Sequence, residues 1–416
     1  MRSRAFISLY IAVFVATLGI SMVGPLLPVY AEDLGATGVW LGVAFSAFAV
    51  VQTIFGPFAG RLSDRYGRKP FIIAGLLVYM VAGIGYLTAG SFYQVIAFRA
   101  FSGVGTSLVF SVARAYVGDI TPKGQEGRWL GVFATADFIG FGTGPLIAGA
   151  LRQFVGFESV FVVMAILMAL SAFILLVWLP RHSSAELLRR QQRAEGIAQP
   201  AVVPFSVALK DRLVLAVTIH HGLISLSMGA TFAFLALRLE RDLGVTPFLI
   251  GLAFATQDIT GGAAQPLFGR FADKYNRRAL VAIGLGINGV LLALLGVVPS
   301  YVLSASLLFL MGGAGALSQV ASSAIQVVAG RRAGMGTVLG LGAAANGAGI
   351  VIGSIVGGIV VDLSGLGATF ILGGIVMVLG APLFLGLTRG LATAESEVRV
   401  PVAGPGASVY AAAGGS

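Results

Sequence analysis

The stretch GRLSDRYGRKP, residues 60–70, decides how this chain is read. It sets five charges, four of them basic, between two long apolar runs. A variant, GRFADKYNRRA, returns at 269–279, an offset of 209 residues. The offset extends well beyond the charged stretch. Pro57 matches Pro266, Asp64 matches Asp273, Tyr66 matches Tyr275, Arg68 matches Arg277, Gly103 matches Gly312, Gly140 matches Gly349, Gly144 matches Gly353 and Gly149 matches Gly358. Glycine is abundant enough to coincide by chance, but the Asp, Arg, Tyr and Pro matches at the same offset are not explained that way. The chain is read as a duplication.

The solvent of each copy follows from composition. Of the 416 residues 57% are hydrophobic and 11% charged. A water-soluble domain carries roughly 25% charged residues, so most of this chain belongs in lipid. A bilayer core needs about 20 apolar residues per helix, and twelve such windows are read: 5–30, 39–60, 70–90, 92–118, 128–151, 156–180, 211–237, 247–269, 279–298, 300–328, 335–361 and 367–388. The first is too long, and lacks the small-residue cleavage site, for a removable signal peptide. The expected architecture is all-α: an N-terminal six-helix bundle (1–180), a cytoplasmic linker (181–210) with a short amphipathic helix at 184–195, a C-terminal bundle (211–389) and a disordered tail (390–416).

The net charge of +10 raises nucleic acid as a partner. The placement of the charge answers it. The termini and the loops after spans 2, 4, 6, 8 and 10 hold 22 of the 27 Lys and Arg; the opposite loops hold Arg152, Arg238 and Arg241. Basic residues flanking spans mark the cytoplasmic side. They therefore put both termini in the cytoplasm of a multi-pass protein of the cell membrane, with anionic lipid rather than nucleic acid beside them. With no cysteine, disulfides and thiolate chemistry are excluded. His182, His220 and His221 form no metal-ligand spacing. There is no phosphate-binding glycine loop with Lys and no Ser–His–Asp arrangement, so neither an enzyme, nor a cofactor, nor a metal is expected.

Two parallel six-helix halves, related by an axis along the membrane normal, are the arrangement of major facilitator transporters, and the chain resembles that superfamily over essentially its whole length. Gly60, Arg61, Asp64, Arg65, Gly67 and Arg68 are similar to its signature loop between spans 2 and 3, with Asp273 and Arg277 in the degenerate second copy. Asp64 stands where it can pair with Arg68 or face a helix N-terminus, and Gly67 allows a tight turn. The resemblance implies a cytoplasmic clasp that stabilises an outward-open state. Leu18-Gly19 followed by Pro25-Leu26-Leu27-Pro28 is similar to a span-1 pattern of twelve-helix drug:proton antiporters. Gly140-Phe-Gly-Thr-Gly144-Pro145-Leu-Ile-Ala-Gly149 resembles the antiporter motif of exporters. Span 11 has Ser354 in place of Pro145, so the first half alone carries the full motif.

Ionisable side chains within spans are costly and usually functional. Asp137 stands about 14 Å into span 5 at 1.5 Å per residue, and Asp258 at comparable depth in span 8. Arg99, in RAFSGVGTS, resembles a span-4 motif whose arginine is implicated in proton coupling. Desolvation and a nearby cation act oppositely on a carboxyl group, which is what a proton carrier needs. Asp137, with or without Asp258, is therefore the expected proton carrier, with Arg99 tuning the site. Asn346 is the repeat counterpart of Asp137. Gln257, Asn346, His220, Gln52, Gln319, Tyr30 and Phe138 are candidates for the cavity wall, with Asn288, Gln326, Phe45, Phe48 and Phe232 beside them; packing is the competing role for each. Span 1 carries no internal acid, unlike exporters of cationic drugs in the family the chain resembles. The expected function is proton-coupled export of small amphipathic compounds by alternating access, as a monomer. Uptake symport of sugars or organic acids, lipid flipping and a transporter-like membrane sensor are the alternatives.

Overall fold

A computed structural model describes residues 2–121, 126–180 and 204–391, and every regular element in them is helical. Most of the expected linker, its helix at 184–195 and nearly all of the tail lie outside the described residues, as does the side chain of Asp273.

The twelve expected spans are present. Span 1 is Arg2–Val23 continued by Leu27–Asp33; span 2 is Gly38–Tyr66, span 3 Arg68–Leu87, span 4 Phe92–Ile120, span 5 Glu126–Phe154 and span 6 Phe157–Trp178. In the second half, span 7 is Arg212–Arg241, span 8 Pro247–Lys274, span 9 Arg277–Leu295, span 10 Tyr301–Ala333, span 11 Met335–Ser364 and span 12 Leu366–Leu387. Among the described residues, 11 helices are long and apolar enough to cross a membrane. Span 8, which carries Gln257, Asp258 and Gln265, is the less apolar exception.

Two differences from the sequence reading have local causes. The break in span 1 falls at Gly24–Leu26, where Pro25 supplies no N–H and Leu26 N bonds only to Val23 O, at 3.2 Å. The signature stretch is not a loop. Span 2 stays helical to Tyr66 and span 3 starts at Arg68, leaving Gly67 alone between them. Gly67 turns the chain at φ +106°, a conformation that an L side chain rarely adopts. At the equivalent position in the second half, Asn276 keeps φ −64° and caps span 9, its Oδ1 accepting from Arg278 N at 3.0 Å and Ala279 N at 3.4 Å.

The duplication reappears in the contacts between halves, which run along span 2 against span 11 and span 5 against span 8. Small residues let these helices approach closely. A Cβ at Gly42 would collide with the Ser354 carbonyl, and one at Gly251 with the Pro145 carbonyl; likewise Gly358 abuts Gly38, and Gly149 abuts Pro247. Each pair in one seam is the 209-residue image of a pair in the other, with the halves exchanged.

The seams close one end of the molecule. At the end away from the basic loops, Arg152 holds Glu240 through two bonds of 2.5 and 2.6 Å. There also Arg241 pairs with Glu32 at 2.9 Å, and Asp362 accepts from Gly38 N at 2.8 Å and Val39 N at 2.9 Å, at the start of span 2. The third basic residue of that end, Arg238, donates to Leu295 O and Val298 O and pairs with Asp242. At the opposite, basic end, a Cβ at Gly60, Gly131, Gly269 or Gly336 would meet nothing within 4 Å. Among the described residues the structure is thus shut at the far end and parted at the basic end.

Candidate transport site

The charged stretch is a cluster inside the first half. Arg68, 3% exposed, lies between two carboxylates: Nη2 to Asp64 Oδ1 at 2.7 Å and Nε to Asp119 Oδ2 at 2.5 Å. Ser63 Oγ accepts from Arg68 Nη1 at 3.3 Å. Lys69 caps the last carbonyls of span 6, Leu176 O and Leu179 O, as a cation at a helix C-terminus should. Arg65 lies against the Tyr66 ring, and Arg61 is exposed. Asp119, at the end of span 4, was not singled out in the sequence. Val328 stands at its repeat position, so the second copy lacks that carboxylate, and Arg277 donates instead to Ala272 O at 2.9 Å.

The exporter-like stretch of span 5 has two working faces. Gly140 and Gly144 seat span 1: added Cβ atoms would strike Thr17, Leu18 and Ser21, and Ser21 Oγ donates to Gly140 O at 2.9 Å. Pro145 and Gly149 face span 8. One motif thus fixes a contact within a half on one side and a contact between halves on the other.

Asp137 is buried on the span-1 side. It accepts from Thr17 Oγ1 at 3.2 Å and from Arg114 Nη2 at 3.3 Å, and the Arg114 side chain is 65% exposed. Arg114 of span 4, not Arg99, is thus the arginine paired with this acid. Asn346 is the counterpart: its Nδ2 donates to Ser225 Oγ of span 7 at 2.7 Å. The two halves repeat a span-5 or span-11 side chain bonded to a hydroxyl of span 1 or span 7, but only the first has charge. Arg99 is 4% exposed; its guanidinium stacks over Phe48 at 4.4 Å and Phe45 at 5.6 Å, and its Nε and Nη1 have no hydrogen-bond acceptor among the described residues. Phe45 in turn stacks on Phe232 across the halves, centroids 6.2 Å apart.

A cavity of about 320 Å³ opens beside this contact, at the lower end of the size range of small-molecule sites. Span 5 contributes Phe138 and Phe141; spans 7, 8, 9, 10 and 12 supply the rest. Among the described residues Asp258 is the one acid lining it, with Gln257, Gln265, Gln319, Thr231 and Asn288. Asp258 Oδ2, Asn288 Oδ1 and Thr231 Oγ1 are buried without a hydrogen-bond partner among the described residues. Such orphans are rare in folded proteins and call for an explanation. Of the wall candidates, Gln257, Gln319, Asn288, Phe138 and Phe232 line this cavity. Others fall elsewhere. His220 is fully buried, its Nε2 sharing a hydrogen bond with Ser318 Oγ. Tyr30 donates to Tyr86 O and packs on Phe161. Gln52 accepts through its backbone from Ser107 Oγ, beside a π-helical turn at Ser107–Ser111. Thr231 and Gln265 went unremarked in the sequence, since a lone Thr or Gln in an apolar helix carries no pattern.

A family description, Major Facilitator Superfamily, matches residues 9–237 and again 218–408. The chain belongs to this superfamily. It is accordingly a multi-pass membrane transporter. Among its relatives in the superfamily, Multidrug resistance protein 2 of Bacillus subtilis is 28% identical over 390 residues, covering 92% of this chain and 94% of that protein. Quinolone resistance protein NorA of Staphylococcus aureus is 34% identical over 153 residues, 37% of this chain and 39% of its own. The crystal structure of a bacterial homologue of the human lysosomal transporter Spinster, in an inward-facing and occupied conformation, superposes with TM-score 0.75 at 15% identity, covering 93% of this chain and 97% of that one. That likeness establishes the major facilitator fold.

Proposed function

We propose that the protein is a proton-coupled exporter of small amphipathic compounds in the cell membrane, working by alternating access with both termini in the cytoplasm. The observation that carries this reading is Asp258: a carboxylate with an unpartnered buried oxygen, in a cavity walled by both halves, beneath a seam that is shut at one end only. The basic loops support a cytoplasmic parted end, and on that reading the conformation is the one that loads an exporter. Two drug-resistance relatives and the span-5 glycine motif favour export over uptake.

In this mechanism Asp258 holds a proton or substrate, never both. Asp137 senses the cycle through Arg114, whose side chain is largely exposed. Opening the far end must break Arg152–Glu240, Arg241–Glu32 and the Asp362 contact. In the opposite state the Asp64–Arg68–Asp119 cluster forms the face on which the basic end closes. The experiment is flux in proteoliposomes with a pH gradient imposed in each direction. Export predicts substrate movement opposite to the protons; movement with the protons would make the protein an uptake symporter.

A further inference from the structure

The unpaired atoms around the cavity share one chemical character. Asp258 Oδ2 and Asn288 Oδ1 are acceptors, Thr231 Oγ1 accepts or donates, and no Lys or Arg lines the cavity among the described residues. Asn288 is 7% and Thr231 2% exposed, so each must turn slightly toward the cavity before a partner reaches its oxygen. All three belong to the second half, and Asn288 sits on span 9, which packs on spans 10 and 12. The polar pole therefore lies inside the C-terminal bundle, while the wall toward the first half is apolar: Phe138 and Phe141, facing Phe232 and the adaptable side chains of Met228 and Met311.

A carboxylate alone would take any cation. The neutral carbonyl of Asn288 adds a requirement, because only an N–H or O–H repays its burial, while the Thr231 hydroxyl takes either kind of partner. Resting on the transport function above, we propose that this pole selects an ammonium or amidinium head that bears N–H bonds, on an apolar body, over a quaternary cation of the same body. The head donates to Asp258 Oδ2 and Asn288 Oδ1, and the apolar body lies against Phe138 and Phe232. A trimethylammonium head brings the charge without donors. It leaves Asn288 Oδ1 unpaired and holds the carboxylate off by a methyl radius.

The test uses the full chain in lipid nanodiscs with 4-phenylbutylamine and its N,N,N-trimethyl analogue, bound by isothermal titration. The expected result is an amine at least about tenfold tighter, as directed hydrogen bonds to a charged group allow. In Asn288→Leu the preference should fall to about twofold, with trimethyl binding retained, and Asp258→Asn should weaken both ligands. As a readout on the unaltered protein, the amine should protect Asp258 from carbodiimide labelling, read by peptide mass, at concentrations where the analogue does not. Equal affinities in the wild type, or an undiminished preference in Asn288→Leu, would overturn the proposal. Flux separates the two levels: equal pH-driven export of both compounds defeats the selectivity and leaves the export reading standing. Selective binding without pH-driven movement supports the selective site and defeats the export reading.

Discussion

Arg152 grips Glu240 across the two halves, guanidinium to carboxylate, through two bonds of 2.5 and 2.6 Å. The geometry is the bidentate fork that makes arginine–carboxylate pairs strong and directional, and the Arg152 side chain is only 11% exposed. Cutting one partner leaves a poorly hydrated charge behind. Glu240→Gln is therefore expected to move the population toward a conformation open at the far end. The chain has no cysteine, so spin labels at Val155→Cys and Thr246→Cys report that end alone. Double electron–electron resonance should show a longer distance component that grows in Glu240→Gln; an unchanged distribution would remove this pair from the gate.

The glycine seams give a paired prediction. Gly42 and Gly251 lie in closed contacts, whereas Gly131 faces open space. Gly251→Leu should prise the far end apart. Gly131→Leu should leave the present conformation intact and hinder closure at the basic end. Both are expected to lower transport by at least tenfold, with opposite shifts in the same labelled-distance assay. Equal shifts in the two variants would show that the seams do not alternate.

Arg68 predicts an unequal pair of acids. Asp119 is 7% exposed and Asp64 33% in the side chain, so removing Asp119 costs more of the cluster. Asp119→Asn should lower the unfolding temperature of the detergent-solubilised protein more than Asp64→Asn, the loss being of the order of 3 kcal/mol for a broken buried pair. Arg277→Ala should cost less than Arg68→Ala, because Val328 replaces the second carboxylate. A reversed order would move the weight of the cluster to its exposed side.

The Asp137–Arg114 bond implies coupling between the two side chains. Asp137→Asn and Arg114→Gln should each reduce pH-driven flux, and the double variant should be little worse than either alone, as residues sharing one interaction behave. Additive losses would assign Arg114 a separate task.

How far these relationships were legible in the sequence depends on what each rests on. The twelve spans and the pairing of Asp64 with Arg68 depend on patterns within about 20 residues, the duplication on one constant offset of 209, and all can be read from the chain. The helix ends cannot: spans 2, 8 and 10 run five or six residues past their apolar windows, because charged residues are tolerated where a helix leaves lipid. Partners remote in sequence were the main loss. Asp119 reaches Arg68 across 51 positions, and nothing in VGDI announces it. Arg99 and Arg114 both stand in span 4, and the choice of which one meets Asp137 turns on helix rotation, which a resemblance to a motif does not supply. By the charge bias alone, the three basic residues at the far end are exceptions. Two of them are cross-half latches, and their acids Glu32 and Glu240 gave no signal beyond lying at span ends.

The central claim is that a deep carboxylate exchanges its proton for substrate, and one measurement meets it directly. Purified protein in weakly buffered detergent, with a pH indicator, should release protons when an exported compound is added. Release should fall sharply in Asp258→Asn while helix content and unfolding temperature stay close to wild type. Full release in both Asp258→Asn and Asp137→Asn would contradict the account.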